Sequence, residues 1–141
     1  MAVATPVGRF RGGAIAGNLP SEKIYEDDYI FSFMDINPVA KGHTLVIPKE
    51  HYEFVHECPP QLMSALAAKM GAIAKAICSA RGADAYNLLC NNGSVAGQVV
   101  GHVHFHIIPR MAGDGVFHRW PASKYPQGQM EKIAAEIRER L

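Results

Sequence analysis

The sequence has few cysteines, and they are not arranged as a disulfide framework or a thiolate metal site. Its 141 residues include three cysteines, Cys58, Cys78 and Cys90, which are widely spaced and form no CxxC pair. An odd number of distant cysteines argues against disulfide pairing and is typical of a reducing compartment. We therefore predict a cytoplasmic protein without disulfides.

Charge of one sign is also not in excess. Lys plus Arg total 14 and Asp plus Glu total 13, which gives a formal net charge of +1. A dedicated nucleic-acid binder or anionic-membrane binder usually carries a clear basic excess, so we predict neither nucleic acid nor membrane as a partner. The longest apolar window, 62–80, contains Lys69 and Lys75, which favours an amphipathic helix over a membrane span. The N-terminus shows no apolar stretch of the signal-peptide kind.

What remains is the composition of one globular domain, with 48% apolar residues. We expect a flexible tail at 1–13 and a single domain at 14–141. Prolines, glycines and hydrophobic periodicity predict short strands at 23–26, 29–34, 43–47, 86–90 and 103–108 and helices at 60–81 and 128–140. This order of elements indicates an α+β fold, an antiparallel sheet with helices on one face.

Three of the seven histidines, His102, His104 and His106, fall within five residues. A strand has a side-chain period of two, so these rings would form a row on one face, about 6.5–7 Å apart. The row could be a solvated polar face, a Zn²⁺ or Cu²⁺ site, or a catalytic group. Neighbouring imidazoles repel one another when protonated, which keeps at least one ring neutral and nucleophilic and favours catalysis.

The preceding loop favours an anionic substrate. Residues 91–98 contain two asparagines, a serine, a glutamine and the glycines Gly93 and Gly97. Glycines allow backbone N–H groups to converge on one point and hold an anion. Because the loop ends just before the histidines, phosphate is a reasonable target.

With these residues in hand, the sequence resembles the histidine triad (HIT) family of nucleotide hydrolases and transferases, in particular its bacterial-type members. The motif His-φ-His-φ-His-φ-φ is present at 102–108. Further segments match in family order at 24–28, 33–38, 42–49, 96–98 and 108–110, so that the resemblance covers about residues 14–112.

The resemblance implies a sheet that continues across a homodimer and a purine nucleotide as substrate or product. It implies His104 as the nucleophile at the α-phosphorus, with His102 and His106 flanking it and His43 near the phosphates. A histidine at position 106, where the nucleotidylyltransferase branch has glutamine, favours hydrolysis. The residues implied to hold the nucleotide are Asp35, Ile36, Phe33, Leu45, Asn91, Gly97 and Gln98. The alternative is a nucleotide-binding sensor or adaptor with little turnover.

Two departures from the family pattern matter. Many bacterial relatives hold a structural zinc with an N-terminal CxxC, a histidine matching His51 and a triad histidine. Here Arg9 and Gly12 stand where those cysteines would be, so we expect neither a structural zinc nor any required cofactor. Val99 replaces the serine that meets the phosphate in the phosphoramidase-like branch, which weakens the case for phosphoramidate cleavage.

Residues outside the motifs have structural interpretations. Asp35 could merely brace a turn, and His43 could make only a structural hydrogen bond. We expect His51 and His56 to be surface residues in a short helix and Cys90 to act as a small apolar residue on a buried strand. In the segment His118-Arg119-Trp120, Trp120 is predicted to be a packing anchor, although this patch could also contact a leaving group or a partner subunit.

Overall fold

The computed structural model describes residues 22–117 and 120–141. The tail predicted at 1–13, together with His118 and Arg119, lies outside these ranges. Within these ranges, five strands and two α-helices follow one another. They are β1 (Lys23–Glu26), β2 (Ile30–Met34), β3 (Thr44–Pro48), α1 (Pro60–Arg81), β4 (Ala85–Leu89), β5 (Phe105–Arg110) and α2 (Gln129–Arg138).

The strands form one antiparallel sheet in the order β1-β2-β3-β5-β4. The β1–β2 hairpin turns at Asp27, whose carboxylate Oδ1 accepts the backbone N–H groups of Tyr29 and Ile30 at 2.8 Å. In the β3–β5 pairing, Leu45 lies opposite His106 and Val46 lies opposite Phe105. This register gives the sheet two distinct faces, because successive side chains alternate.

Helix α1 covers one face of the sheet. Proline at its first position costs no hydrogen bond, since the first N–H groups of a helix have no partner within it. Its apolar stripe packs with the alternating residues of β3 and β5 in one core. The buried members of the stripe are Leu66, Met70, Ile73, Ala74 and Ile77. The helix is long and apolar enough to cross a membrane by length and composition alone, but here it is the core helix of the domain.

Helix α2 follows an extended stretch and buries no residue within the described chain. Its apolar residues Met130 and Ile137 are both more than half exposed. Trp120, just before this stretch, is 89% exposed, so the prediction that it is a packing anchor is wrong for the described part of the chain.

The predicted fold class is confirmed, and most element bounds agree within two residues. The main difference is at the last strand, which begins at Phe105 and not at residue 103. His102 and His104 therefore precede the regular strand. The three cysteines are free, in agreement with the prediction.

Candidate active site

The candidate site lies on the sheet face opposite α1, at the start of β5. His106 projects from this face because its neighbours in the chain, Phe105 and Ile107, point into the core. Leu45 is its cross-strand partner on β3, and Phe33 is the partner of Leu45 on β2. Three residues predicted separately for chemistry and for base binding are thus side by side on one surface.

The main chain holds the ring of His104 at one of its two nitrogens. Its Nδ1 lies 2.7 Å from the carbonyl oxygen of His102. A carbonyl oxygen can only accept, so Nδ1 carries the ring proton and donates it. In the neutral form of the ring, the lone pair is then on the other nitrogen, Nε2. Burial raises the pKa of the nearby Cys90 thiol, and the backbone N–H of His104 partly opposes this shift.

His106 is paired with His43, which precedes β3. The Nε2 of His43 lies 2.9 Å from the Nδ1 of His106, and the His106 and His104 ring centroids are 5.0 Å apart. Burial, followed by the charges of His104 and His43, lowers the pKa of His106 to about 4. Burial also lowers the pKa of His43, and the Asp35 carboxylate only partly opposes this. Both rings are therefore neutral at pH 7.

His102 does not join the predicted row of rings. Only 1% of it is exposed, and its Nε2 donates to the carbonyl oxygen of Pro48 at 2.8 Å. Its Nδ1 lies 3.0 Å from the Nδ1 of His51, and the two rings stack. Both ring nitrogens of His102 are engaged inside the protein, so neither can contact a phosphate oxygen. The implied contact between the His102 ring and the phosphate is therefore wrong. The carbonyl of His102, and not its ring, faces the site.

The loop before the triad also differs from expectation. The N–H groups of Ala96 and Gln98 donate to the carbonyl of Gly93, and the N–H of Gly97 donates to that of Ser94. The φ angles of 89° at Gly93 and 97° at Gly97 allow this tight turn. The loop donors predicted to bind phosphate are thus used to close the loop itself.

The side chains of Gln98 and Asn91 contact the protein itself and support this loop. The Gln98 Oε1 accepts the N–H of Gly93 at 2.7 Å, and its Nε2 donates to the carbonyl of Glu53 at 2.8 Å. The amide of Asn91 lies against Gly97, where an added Cβ would come within 3.4 Å of Asn91 Nδ2. The predicted phosphate contact of the Gln98 side chain is therefore corrected to a structural role.

Asp35 combines the two roles considered for it. Its Oδ1 accepts the N–H of Asn37 at 2.8 Å and braces the turn, while its Oδ2 lies 3.7 Å from the Nε2 of His43. Ile36 is exposed beside it. The polar and apolar residues predicted to hold a nucleoside therefore lie on the His43 side of the site.

Among the described residues, Asp35, His43 and His106 form a group whose donor atoms all lie within 4.8 Å of one another. The structural zinc that the resemblance implies for many bacterial relatives is a separate site, which would need a histidine matching His51, a triad histidine and two thiolates. Arg9 and Gly12 supply none. Within the ranges that the structure describes, Cys58 lies near the Phe54 carbonyl and Cys90 near Asn92. The residues present do not fit that zinc.

Sequence reasoning missed several contributors to the site. His51, predicted to be on the surface, stacks on His102, and the Cys90 thiol is close enough to the backbone N–H of His104 for that N–H to affect its pKa. The backbone N–H of Val39 donates to His43 Nδ1 at 3.2 Å. Backbone donors and acceptors leave no trace in residue identity, so only the fold could have revealed the roles of Val39 and of the Pro48 carbonyl.

Comparison with known proteins identifies the family of the chain. The family model described as HIT domain matches residues 16–113. A crystal structure of a member of the HIT family from Bacillus subtilis superposes with a TM-score of 0.82 at 40% identity, covering 92% of this chain and 94% of that one.

Two curated relatives have names that state an activity. Adenylylsulfatase HINT3 of Arabidopsis thaliana is 48% identical over 100 residues, which are 71% of this chain and 51% of the relative. The chain thus spans about half the length of that relative. Adenosine 5'-monophosphoramidase HNT1 of Saccharomyces cerevisiae is 38% identical over 128 residues, covering 90% of this chain and 78% of the relative.

Proposed function

Because this chain belongs to the HIT domain family, we propose that it is a nucleotide hydrolase that cleaves conjugates of a purine nucleotide at the α-phosphate. The observation that carries the proposal is the bond from His104 Nδ1 to the His102 carbonyl. In the neutral ring this bond selects the tautomer that carries its lone pair on Nε2, beside the His106–His43 pair. The names of the relatives, an adenylylsulfatase and an AMP phosphoramidase, support the reaction class.

In the first step the lone pair of His104 Nε2 attacks the α-phosphorus. A P–N bond to the ring forms, and the bond from phosphorus to the leaving group breaks. The proton stays on Nδ1, which donates it in a hydrogen bond to the His102 carbonyl oxygen. This bond stabilises the positive charge that develops on the ring when Nε2 forms the new bond. Water then attacks the nucleotidyl-imidazole, releasing the nucleoside monophosphate and restoring His104.

His106 acts on the leaving group and the phosphoryl oxygens. Since the Val39 N–H donates to His43 Nδ1, His43 carries its proton on Nε2 and donates it to His106 Nδ1, which leaves the His106 Nε2–H as the donor for substrate. An anionic phosphate bound beside His106 and His43 raises the pKa of this histidine pair, so the pair can take up a proton from solvent. That proton can then pass from His106 to the leaving atom. Water brings this proton back in the second step.

The nucleoside is proposed to lie on the side of Asp35. The carboxylate would accept hydrogen bonds from the ribose hydroxyls, and Phe33, Ile36 and Leu45 would contact the base. Phe33 and Leu45 share a face with His106 through the strand register, which supports this orientation.

The leaving group is the least constrained part of the substrate. Nucleoside phosphoramidates, dinucleoside polyphosphates and adenylyl sulfate all present an α-phosphorus with a heteroatom to expel. Val99 is 93% exposed on the loop before the triad, in the position where phosphoramidase-like relatives carry serine. This residue favours leaving groups that do not depend on a serine hydroxyl.

A second candidate function is a nucleotide sensor or adaptor with little turnover. The neutral histidines would serve in that case only to bind a monophosphate. The donor–acceptor arrangement at His104 favours the hydrolase, because binding alone does not require a lone pair at Nε2.

We also propose a homodimer in which the sheet continues through β4. This strand is at the edge of the described sheet, and its Tyr86 and Leu88 are 46% and 47% exposed. An open groove of about 600 Å³ runs between α1 and β4, lined in part by Lys75, Cys78 and Tyr86. An unpaired edge strand with apolar side chains is suited to pairing with a second copy.

We further propose that turnover needs no cofactor and that the protein is cytoplasmic.

The test is a panel of AMP- and GMP-linked conjugates with amine, sulfate and nucleotide leaving groups. Rapid acid-free quenching followed by mass spectrometry should trap a nucleotide adduct on His104. Turnover of at least one class together with this adduct is expected. Tight binding of the monophosphate without turnover of any conjugate would favour the sensor.

A further inference from the structure

We propose that the backbone N–H of Val39 is a positioning group, which sets the protonated nitrogen of both His43 and His106 and keeps metal ions out of the site. This inference deepens the proposed function and rests on it for its consequence in catalysis. Its structural basis is independent of any turnover.

The Val39 N–H fixes the tautomer of His43. The Val39 N–H can only donate, so His43 Nδ1, 3.2 Å away, must be the unprotonated nitrogen. The ring proton is then on Nε2. The Asp35 Oδ2, 3.7 Å from this Nε2, favours the same tautomer because a carboxylate attracts the N–H. Two groups on opposite sides of the ring thus select one form.

The tautomer of His43 determines that of His106. Since His43 Nε2 bears the proton, it donates to His106 Nδ1 across 2.9 Å. His106 Nδ1 is therefore the acceptor, and its Nε2 carries the proton that a phosphoryl oxygen or leaving atom can use. Reversing the His43 tautomer would put a lone pair on His106 Nε2, which repels an anionic substrate.

The tautomer of His43 also affects metal binding. Asp35, His43 and His106 offer a carboxylate and two imidazoles, a donor set that suits Zn²⁺. A neutral histidine that binds a metal through Nε2 must carry its proton on Nδ1. In this chain that proton would face the Val39 N–H. The cluster has the composition of a zinc site, but one ligand is held in the form that cannot bind.

The segment that carries Val39 is itself fixed. The N–H of His43 donates to the Ala40 carbonyl, and the N–H of Asp35 donates to the His43 carbonyl, both at 3.0 Å. The turn from Asp35 to His43 therefore presents the Val39 N–H as a permanent feature of the fold. The side chain of Val39 is half exposed, and the group that contacts His43 is the backbone N–H of Val39.

The experiment removes this N–H without removing a side chain. Replacing the residue by its α-hydroxy acid turns the amide into an ester, and Val39→Pro removes the N–H genetically. Val39→Ala keeps the N–H and serves as the matched control. ¹⁵N spectra of histidine-labelled full-length protein at pH 7.5 report which ring nitrogen is protonated, with signals assigned through His43→Gln and His106→Gln.

The wild type and Val39→Ala should show both rings protonated on Nε2. In the ester protein, Nδ1-protonated His43 should appear, and kcat/KM should fall by about tenfold or more, part of the 10²–10⁴ that a positioned proton donor contributes. Zn²⁺ added to the ester protein should perturb the His43 and His106 signals at a concentration at least about tenfold lower than in Val39→Ala.

The proposal fails if His43 is protonated on Nδ1 in the wild type, or if the ester leaves both tautomers unchanged. Equal zinc affinity at these rings in the ester protein and Val39→Ala would also overturn it. If Val39→Pro does not fold, the ester protein decides. The spectra need no substrate, so an inactive protein would contradict the proposed function while leaving the tautomer result intact.

Discussion

The ring of His104 donates its Nδ1 proton to the carbonyl oxygen of His102 at 2.7 Å, a bond between two members of the same motif. The first histidine thus serves the second through its backbone, while its own ring is buried 2.8 Å from the Pro48 carbonyl. A peptide carbonyl cannot be removed by changing a side chain. Mutation can therefore remove the His104 ring, the proposed nucleophile, more readily than the carbonyl that orients it.

Replacing His104 by Ala or Asn should abolish turnover, with a loss of kcat on the order of 10³ or more, because neither side chain supplies a nucleophilic nitrogen. Adenosine phosphoramidate and a diadenosine polyphosphate are suitable substrates. The exposed His56, changed to Gln, is the control and should retain activity. Wild-type turnover in either His104 variant would refute the assignment.

His106→Gln should slow the release of poor leaving groups more than that of good ones. An amide can donate a hydrogen bond but cannot transfer a proton, so we expect a loss of about 10²–10⁴ for an amine conjugate and a smaller loss for adenylyl sulfate. The ratio of kcat/KM for the two substrates measures the effect. An equal loss on both would mean that His106 acts only by binding.

Val99→Ser should raise kcat/KM for adenosine phosphoramidate by about fivefold, the equivalent of one hydrogen bond of about 1 kcal/mol. Val95→Ser, on the same loop and also exposed, is the matched control and should change little. Steady-state kinetics of the two variants decide the point. If both serines have the same effect, position 99 has no special relation to the substrate.

Stability should fall as the pH drops below about 6.5. Burial lowers the pKa of folded His102 to about 4, while the unfolded chain titrates near 6.5. Between these values the unfolded state binds more protons, so acid favours unfolding, and above about 6.5 the effect is absent. We expect His102 to account for about 2 kcal/mol of the decrease in unfolding free energy between pH 7.5 and pH 5.

Urea unfolding at several pH values measures this slope. The slope should become shallower in His102→Gln and should be unchanged in the exposed control His56→Gln. A His102→Gln protein with the full wild-type slope would show that other groups cause the acid sensitivity.

Leu88→Lys should convert the proposed homodimer to a monomer, because it places a charge on the exposed edge strand β4. Sedimentation velocity of the variant and of wild type gives the answer. Met111→Lys changes a similarly exposed apolar residue after β5 and should leave the association unchanged. A wild-type monomer at micromolar concentration would contradict the dimer itself.

The sequence predicted what depends on side-chain type and spacing. Helix α1 was predictable from its prolines and its apolar period, and the strands from β-branched runs between prolines and glycines. Motif order also identified the family. The same alternation rule placed His106 correctly, because that residue lies within β5.

The rule failed for His102 because the regular strand begins three residues later, and a buried carbonyl of Pro48 attracts its ring. Gln98 and the loop N–H groups were assigned to phosphate because glycine and amide residues suit that role. In the folded loop they bond to one another and to Glu53. Choices between two bonding partners depend on tertiary proximity, which residue spacing does not contain.

The register of β3 against β5 has a consequence for how this protein can be studied. His43 and His106 come from segments more than sixty residues apart, and they meet because Leu45 lies opposite His106. A slip of one residue would turn His106 toward α1 and separate the pair. Catalytic rate is therefore a sensitive reporter of strand alignment, and a destabilised variant could lose activity through misalignment while its secondary structure, as seen by circular dichroism, remains intact.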